Sequence, residues 1–173
     1  HEDDTAVYRV HATYGRILSR RYALSEARPH LEKAHHIAQR TLGSTGLESN
    51  NLRHVLARHN STMGWVASLQ WSYVEAARHI GETVRLREGI AADRPDNDFM
   101  HRLLAIDNRF LGEVLLAADQ RADAETALER NREISTEWTE KLSDNQHHII
   151  ELGTTYYRLG TLWHDEGREE EAR

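Results

Sequence analysis

Four glycines constrain what this chain can fold into more than any other feature. Gly15, Gly64, Gly112 and Gly160 recur at an almost constant interval of roughly forty-eight positions. Ala27, Ala76, Ala124 and Ala172 keep the same separations, each twelve residues behind its glycine. A large residue precedes every glycine (Tyr14, Met63, Leu111, Leu159), and Leu31, Ile80 and Leu128 stand four residues beyond the first three alanines. Asp96-Asn97 returns one interval later as Asp144-Asn145. Self-similarity at a fixed interval marks a repeat architecture, whose units bury their apolar faces only against their neighbours. The copies span residues 1–46, 47–95, 96–143 and a truncated 144–173 of one repeat domain.

Within each copy the apolar period is helical. Ala124, Ala127, Leu128, Ile134, Trp138 and Leu142 share one helix face, as do Ala27, Leu31, Ala34, Ala38 and Leu42. Helices are predicted near residues 4–21, 25–42, 51–70, 73–92, 97–117, 122–142 and 146–165, with a truncated eighth from 169. Ser72-x-x-Glu75 reads as a capping box, and Asn50-Asn51, Asp96-Asn97 and Asp144-Asn145 as caps. Gly43, Ser44 and Gly46 mark one connection and Pro95 the next, while Pro29 is expected in the first turn of its helix. An up-and-down bundle is the alternative, but a bundle has no reason to repeat its small residues in register.

Composition narrows the function. The 173 residues hold 28 acids against 22 bases, a net charge of −6, which argues against a global pull toward nucleic acid. No apolar run reaches the ~20 residues of a membrane span, so no membrane partner is expected. Cysteine is absent, removing disulfides, thiolate metal sites and cysteine nucleophiles together. The chain opens on His1-Glu2-Asp3-Asp4 and stops at Arg173 inside a charged run, which reads as a fragment of a longer protein. No targeting segment is visible, so a cytoplasmic setting is the default expectation.

The small-residue pattern resembles the tetratricopeptide repeat family. Leu111-Gly112 with Leu115, Ala124 and Leu128 fit its grammar, as do Leu159-Gly160, Trp163 and Ala172. Gly167-Arg168-Glu169-Glu170-Glu171-Ala172 looks like the turn that opens the family's second helix. The unit is about fourteen residues longer than the family's usual ~34, and the closing proline is missing. Of the aromatics expected four before the glycine only Tyr156 is present, with His11, Asn60 and Asn108 in its place. The resemblance implies an all-α solenoid of antiparallel helical hairpins, a right-handed superhelix whose first helices line a groove. A narrower resemblance, from Leu86-Arg87-Glu88 through Asp96-Asn97 to Ala127-Leu128, is to the long repeats found C-terminal to bacterial serine/threonine kinase domains. It implies a regulatory region of a signalling protein.

Chemistry-bearing constellations are sparse. None of the twelve histidines stands three or four residues from another, the spacing that points two metal ligands off one helix face. Glu32-x-x-His35 is half of a di-iron motif, but the second half is absent. A metal-dependent enzyme is therefore the distant alternative, and most histidines are expected to be solvated or at helix ends. Ser61 and Thr62 lie near His59 without the spacing or glycine-rich elbow of a nucleophile. No catalytic residue, metal ligand or cofactor is assigned. Trp138 and Trp163 are expected in the core, and Trp71 is expected to pack at a hinge.

Positions six and three before each repeat glycine, and one and four after it, form a single helix stripe. The copies read Arg9, Ala12, Arg16, Ser19; Arg58, Ser61, Trp65, Ser68; Ile106, Arg109, Glu113, Leu116; and Thr154, Tyr157, Thr161, His164. Four arginines against Glu113 make a basic stripe, and the resemblance turns Trp65 and Tyr157 to the same groove. Arginine grips carboxylates in pairs and stacks on rings, so an acidic peptide is the expected partner. The alternative is that these arginines pair with acids on neighbouring helices. A separate reading is self-association, with a homodimer through the truncated fourth copy across residues 149–165.

Overall fold

The computed structural model describes residues 2–45, 50–142 and 146–172. Among them are seven helices and no strand: α1 (Glu2–Arg20), α2 (Leu24–Thr45), α3 (Asn50–Leu69), α4 (Tyr73–Asp93), α5 (Asp98–Ala117), α6 (Arg121–Lys141) and α7 (Gln146–Asp165). They form two compact units, 1–86 and 87–173, with the boundary inside α4. None of these helices is long and apolar enough to cross a membrane.

Three of the four repeat glycines are helix-crossing points, while a Cβ on Gly160 would meet only Ala172 O at 3.8 Å. A Cβ on Gly15 would lie 2.8 Å from Leu31 Cγ, one on Gly64 2.5 Å from Ile80 Cδ1, and one on Gly112 2.6 Å from Leu128 Cγ. The bulky residue that recurs behind each alanine thus fills the space its glycine leaves empty. The alanines Ala27, Ala76 and Ala124 are fully buried at the same crossings. Gly81, on α4, has open space around its missing Cβ. Gly64→Ala is therefore expected to cost about 1–3 kcal/mol through overpacking. Gly81→Ala should instead stabilise by about 1 kcal/mol through helix propensity. Urea unfolding of the two variants checks both signs.

Every first helix ends in the same cap. Tyr22, Trp71, Asp119 and Gly167 stand seven residues after the repeat glycines and all take positive φ, 57°, 61°, 60° and 73°. The residue after each donates its N–H back five positions: Ala23 to Leu18 O, Ser72 to Ala67 O, Gln120 to Leu115 O and Arg168 to Trp163 O, at 2.8–3.0 Å. This is the Schellman arrangement, and glycine is its favoured residue; only Gly167 follows that preference. After the first three caps a short turn folds the chain back into the second helix.

A polar seam runs through the buried interior. Thr83 donates to Ala57 O at 3.3 Å, and its counterpart one repeat on, Asn131, donates to Ala105 O at 2.5 Å. Asn131 also accepts from Thr155 at 2.6 Å and Ser135 at 3.3 Å. In the 87–173 unit Arg87 Nε and Asp107 Oδ2 approach to 2.9 Å with both side chains almost wholly buried. The Nε–H is not aimed at the oxygen, so the contact is an ion pair without a hydrogen bond. Burial, opposed by Arg87, pushes the Asp107 carboxyl up to about 7.

Several local expectations change. Residues 169–172 form turns instead of an eighth helix, because they close only one helical bond, Ala172 N–H to Arg168 O, short of a nucleus. Helix α2 continues through Gly43 and Ser44 to Thr45, and Gly46 lies outside the described residues. The same helix starts at Leu24, which moves Pro29 beyond the first turn. Asn97 caps α5 by accepting from Met100 N–H at 3.2 Å. Asp144-Asn145 lies outside the described residues. At Ser72 no capping box forms, since the Glu75 carboxylate takes Arg28 at 2.7 Å instead. Within the 149–165 span expected to self-associate, Leu159 and Leu162 are buried, while Ile149, Ile150, Tyr156 and Tyr157 are exposed.

Candidate functional site

In the 1–86 unit the basic stripe is uncompensated. Arg9 and Arg58 are exposed, and Arg16 is half-buried. Arg16 is steadied by its own helix, donating from Nε to Ala12 O at 3.2 Å and from NH2 to Thr13 Oγ1 at 3.4 Å. Neither acceptor carries charge. Burial first, then the positive charges of Arg58 and Arg20, lower the Arg16 pKa, with Tyr8 opposing. Burial raises the Tyr8 phenol while Arg58 and Arg16 pull it back down. Among the described residues no carboxylate pairs with Arg9, Arg16, Arg20 or Arg58.

Trp65 lies on α3, about two turns beyond Arg58 along the same stripe. It packs on the cluster of Leu18, Ala27, Leu31, Met63 and Val66, half-buried, with its ring 6.2 Å from that of Tyr22. Trp71 does not pack at a hinge as expected. The positive-φ cap turns it outward, 79% exposed, with only an edge contact to Tyr73 at 6.1 Å.

In the 87–173 unit the arginine of the stripe, Arg109, stands at the repeat position of Ala12 and Ser61 and is neutralised. Arg109 donates to Glu151 at 2.8 Å and to Glu113 at 3.0 Å, and Arg158 takes the same Glu113 oxygen at 3.1 Å. Burial works against the Arg109 charge, yet the two carboxylates outweigh it and raise its pKa. Pairing with acids on neighbouring helices, the alternative reading, thus describes Arg109 but not Arg16 or Arg58. Tyr157 is exposed under the Arg158 guanidinium, 5.9 Å away. Trp138 is buried, and Trp163 is half-buried with its indole N–H on Glu125 at 2.6 Å.

Sequence spacing missed the histidines. His35, His59 and His79 come from α2, α3 and α4 and meet in the interior of the 1–86 unit. The His35 ring stacks on His59 at 5.6 Å and meets His79 edge-on at 5.9 Å. His59 Nε2 bonds Leu31 O at 2.8 Å, and His79 Nδ1 bonds Asn60 Oδ1 at 3.1 Å. Burial, reinforced by His35 for His59 and by Arg78 for His79, pushes each down to about 4. These rings are therefore structural, not solvated as expected, and His148 is fully buried against Asp98 at 2.8 Å. Only a helix-to-helix register could have predicted the meeting, because no pair lies on one helix face.

The cluster has no visible chemistry beyond packing. Among the described residues no group of three or more His, Asp or Glu could hold a metal ion. Glu32 turns to Arg28 at 2.9 Å, and Thr62 bonds Arg58 O at 3.0 Å, so neither completes a catalytic pair. No protein-family model matches the chain, and no curated protein matches it.

Proposed function

We propose that this chain is a protein-binding module of the tetratricopeptide kind, a right-handed solenoid of helical hairpins that takes an acidic peptide along its first helices. Arg9, Arg16, Arg58 and Trp65 form the contact surface of the 1–86 unit, and Arg109, Glu113 and Tyr157 hold stripe positions of the repeat in the 87–173 unit. The observation that carries the reading is the contrast between Arg16 and Arg58, which repel each other without a carboxylate, and Arg109, which holds two. Uncompensated cations and an aromatic ring on one stripe suit a ligand that supplies carboxylates and an apolar anchor. The narrower resemblance supports a regulatory region of a bacterial signalling protein such as a serine/threonine kinase, with the cytoplasm as the default setting. No catalytic residue or cofactor enters this reading.

The test is binding of labelled Asp/Glu-rich peptides that carry one aromatic residue. Arg16→Glu with Arg58→Glu is expected to weaken binding at least tenfold, and added salt should weaken the parent complex. Arg109→Gln should leave affinity near that of the parent. If the folded double variant keeps full affinity, the groove reading fails. Self-association is a second reading, favoured by the exposure of Ile149, Ile150 and Tyr156 on α7. Light scattering decides it, since a concentration-independent monomer removes it.

A further inference from the structure

Helix α1 carries a second stripe, on a different face from the arginines of the groove. Val7, Val10, Tyr14 and Ile17 follow the three-four-three spacing of one helix face and are 38–65% exposed. Their counterparts one repeat later, Leu56, His59, Met63 and Val66, are all buried. On α7 the counterparts Thr155, Leu159 and Leu162 are buried too and Leu152 is half-buried. The repeat therefore shows what belongs on the stripe.

On α3 the cover is α2. Ala38 packs with Leu56, His35 stacks on His59, and Leu31 packs with Met63 and Val66. On α7 it is α6: Trp138 meets His148, Asn131 meets Thr155, and Glu125 meets Trp163. In both cases the pairs run in opposite order along the two helices, so the covering helix is antiparallel. It presents small and apolar residues, such as the fully buried Ala27, Ala34 and Ala124.

Charge completes the description of the occupant. Arg20, the last residue of α1, and Arg21 stand three and four positions beyond Ile17, at the C-terminal end of the stripe, and neither has a carboxylate partner among the described residues. We propose that the Val7–Val10–Tyr14–Ile17 face of α1 is a docking site for an amphipathic helix of a partner protein. That helix runs antiparallel to α1, with a small-apolar face and acidic residues near its N-terminal end, where it meets Arg20 and Arg21. It repeats outside the chain the contact that α2 makes with α3 inside it, the helix-in-groove mode of recognition.

The probe is a fluorescent peptide with the sequence of α6, residues 121–141, which combines Ala124, Ala127 and Leu128 with Glu129, Glu133 and Glu137. Added to the full chain, it is expected to raise its anisotropy on binding, and a scrambled peptide is not. Val10→Asp with Ile17→Asp should weaken it at least tenfold while helicity is unchanged, both residues being exposed. Arg58→Glu, a groove substitution, should leave it unaffected, which separates failure here from failure of the groove. No binding, or equal binding by the double variant, overturns the proposal. So does a dimer that the double variant dissolves, because the face then belongs to a second copy.

Discussion

Replacing Arg87 by methionine is expected to destabilise the 87–173 unit by about 3–5 kcal/mol near neutral pH, the usual cost of orphaning a buried charge. The pair is almost wholly out of water, and at 2.9 Å each group is the other's only counter-charge among the described residues. The cost should shrink toward about pH 5, since a carboxyl already pushed up to about 7 takes a proton more readily once Arg87 is gone. With the pair intact the sign is also fixed. A raised carboxyl contributes most below its ordinary 3.8, and that contribution is lost as pH rises through about 7. Replacing both partners, Arg87→Met with Asp107→Leu, is expected to restore most of the loss, because two apolar side chains need no desolvation. Urea unfolding at the two pH values is the measurement. A single-variant cost below about 1 kcal/mol at neutral pH would show that the pair contributes no more than a surface contact.

Acid is expected to unfold the 1–86 unit. His59 and His79 bind protons at 6.5 in the unfolded chain and at about 4 in the folded one. Above 6.5 both states are neutral and nothing is lost. As pH falls from 6.5 to about 4 the unfolded state binds protons first and stability drops, by up to about 3 kcal/mol for each group. The surroundings reinforce the shift, since His35, Arg78, Arg28 and Arg16 add positive charge, while the Leu31 O hydrogen bond opposes it at His59 and Glu32 at His79. His59→Gln and His79→Gln should each lower neutral stability yet flatten its decline below 6.5. Urea midpoints measured across this range decide, and an unchanged slope in both variants would remove the histidines as its cause.

Which parts of this were legible beforehand follows from how each is encoded. The helices were readable within a few residues, because apolar period and turn residues act within one turn of chain. The crossings at Gly15, Gly64 and Gly112 were readable as well, since a small residue opposite a bulky one sixteen positions on leaves its mark in every copy. The ends of α2 were not, because glycine and serine weaken a helix by too little to end one that tertiary packing continues. The groove was half legible: the stripe was visible, but not which arginines keep their charge.

By itself, then, the sequence determined a set of helical hairpins recurring at one interval, since period and small-residue spacing are properties of the chain alone. Only the tertiary structure decided which polar groups meet. Glu151 reaches Arg109 from 42 residues away, His79 reaches Asn60 from 19, and Asp107 on α5 reaches Arg87 on α4. Those meetings depend on the rotation and register of one helix against another, which many residues set together and no single spacing records. The same physics left Arg16 and Arg58 unpaired, and Val10 and Ile17 in water, on the helices where binding is proposed.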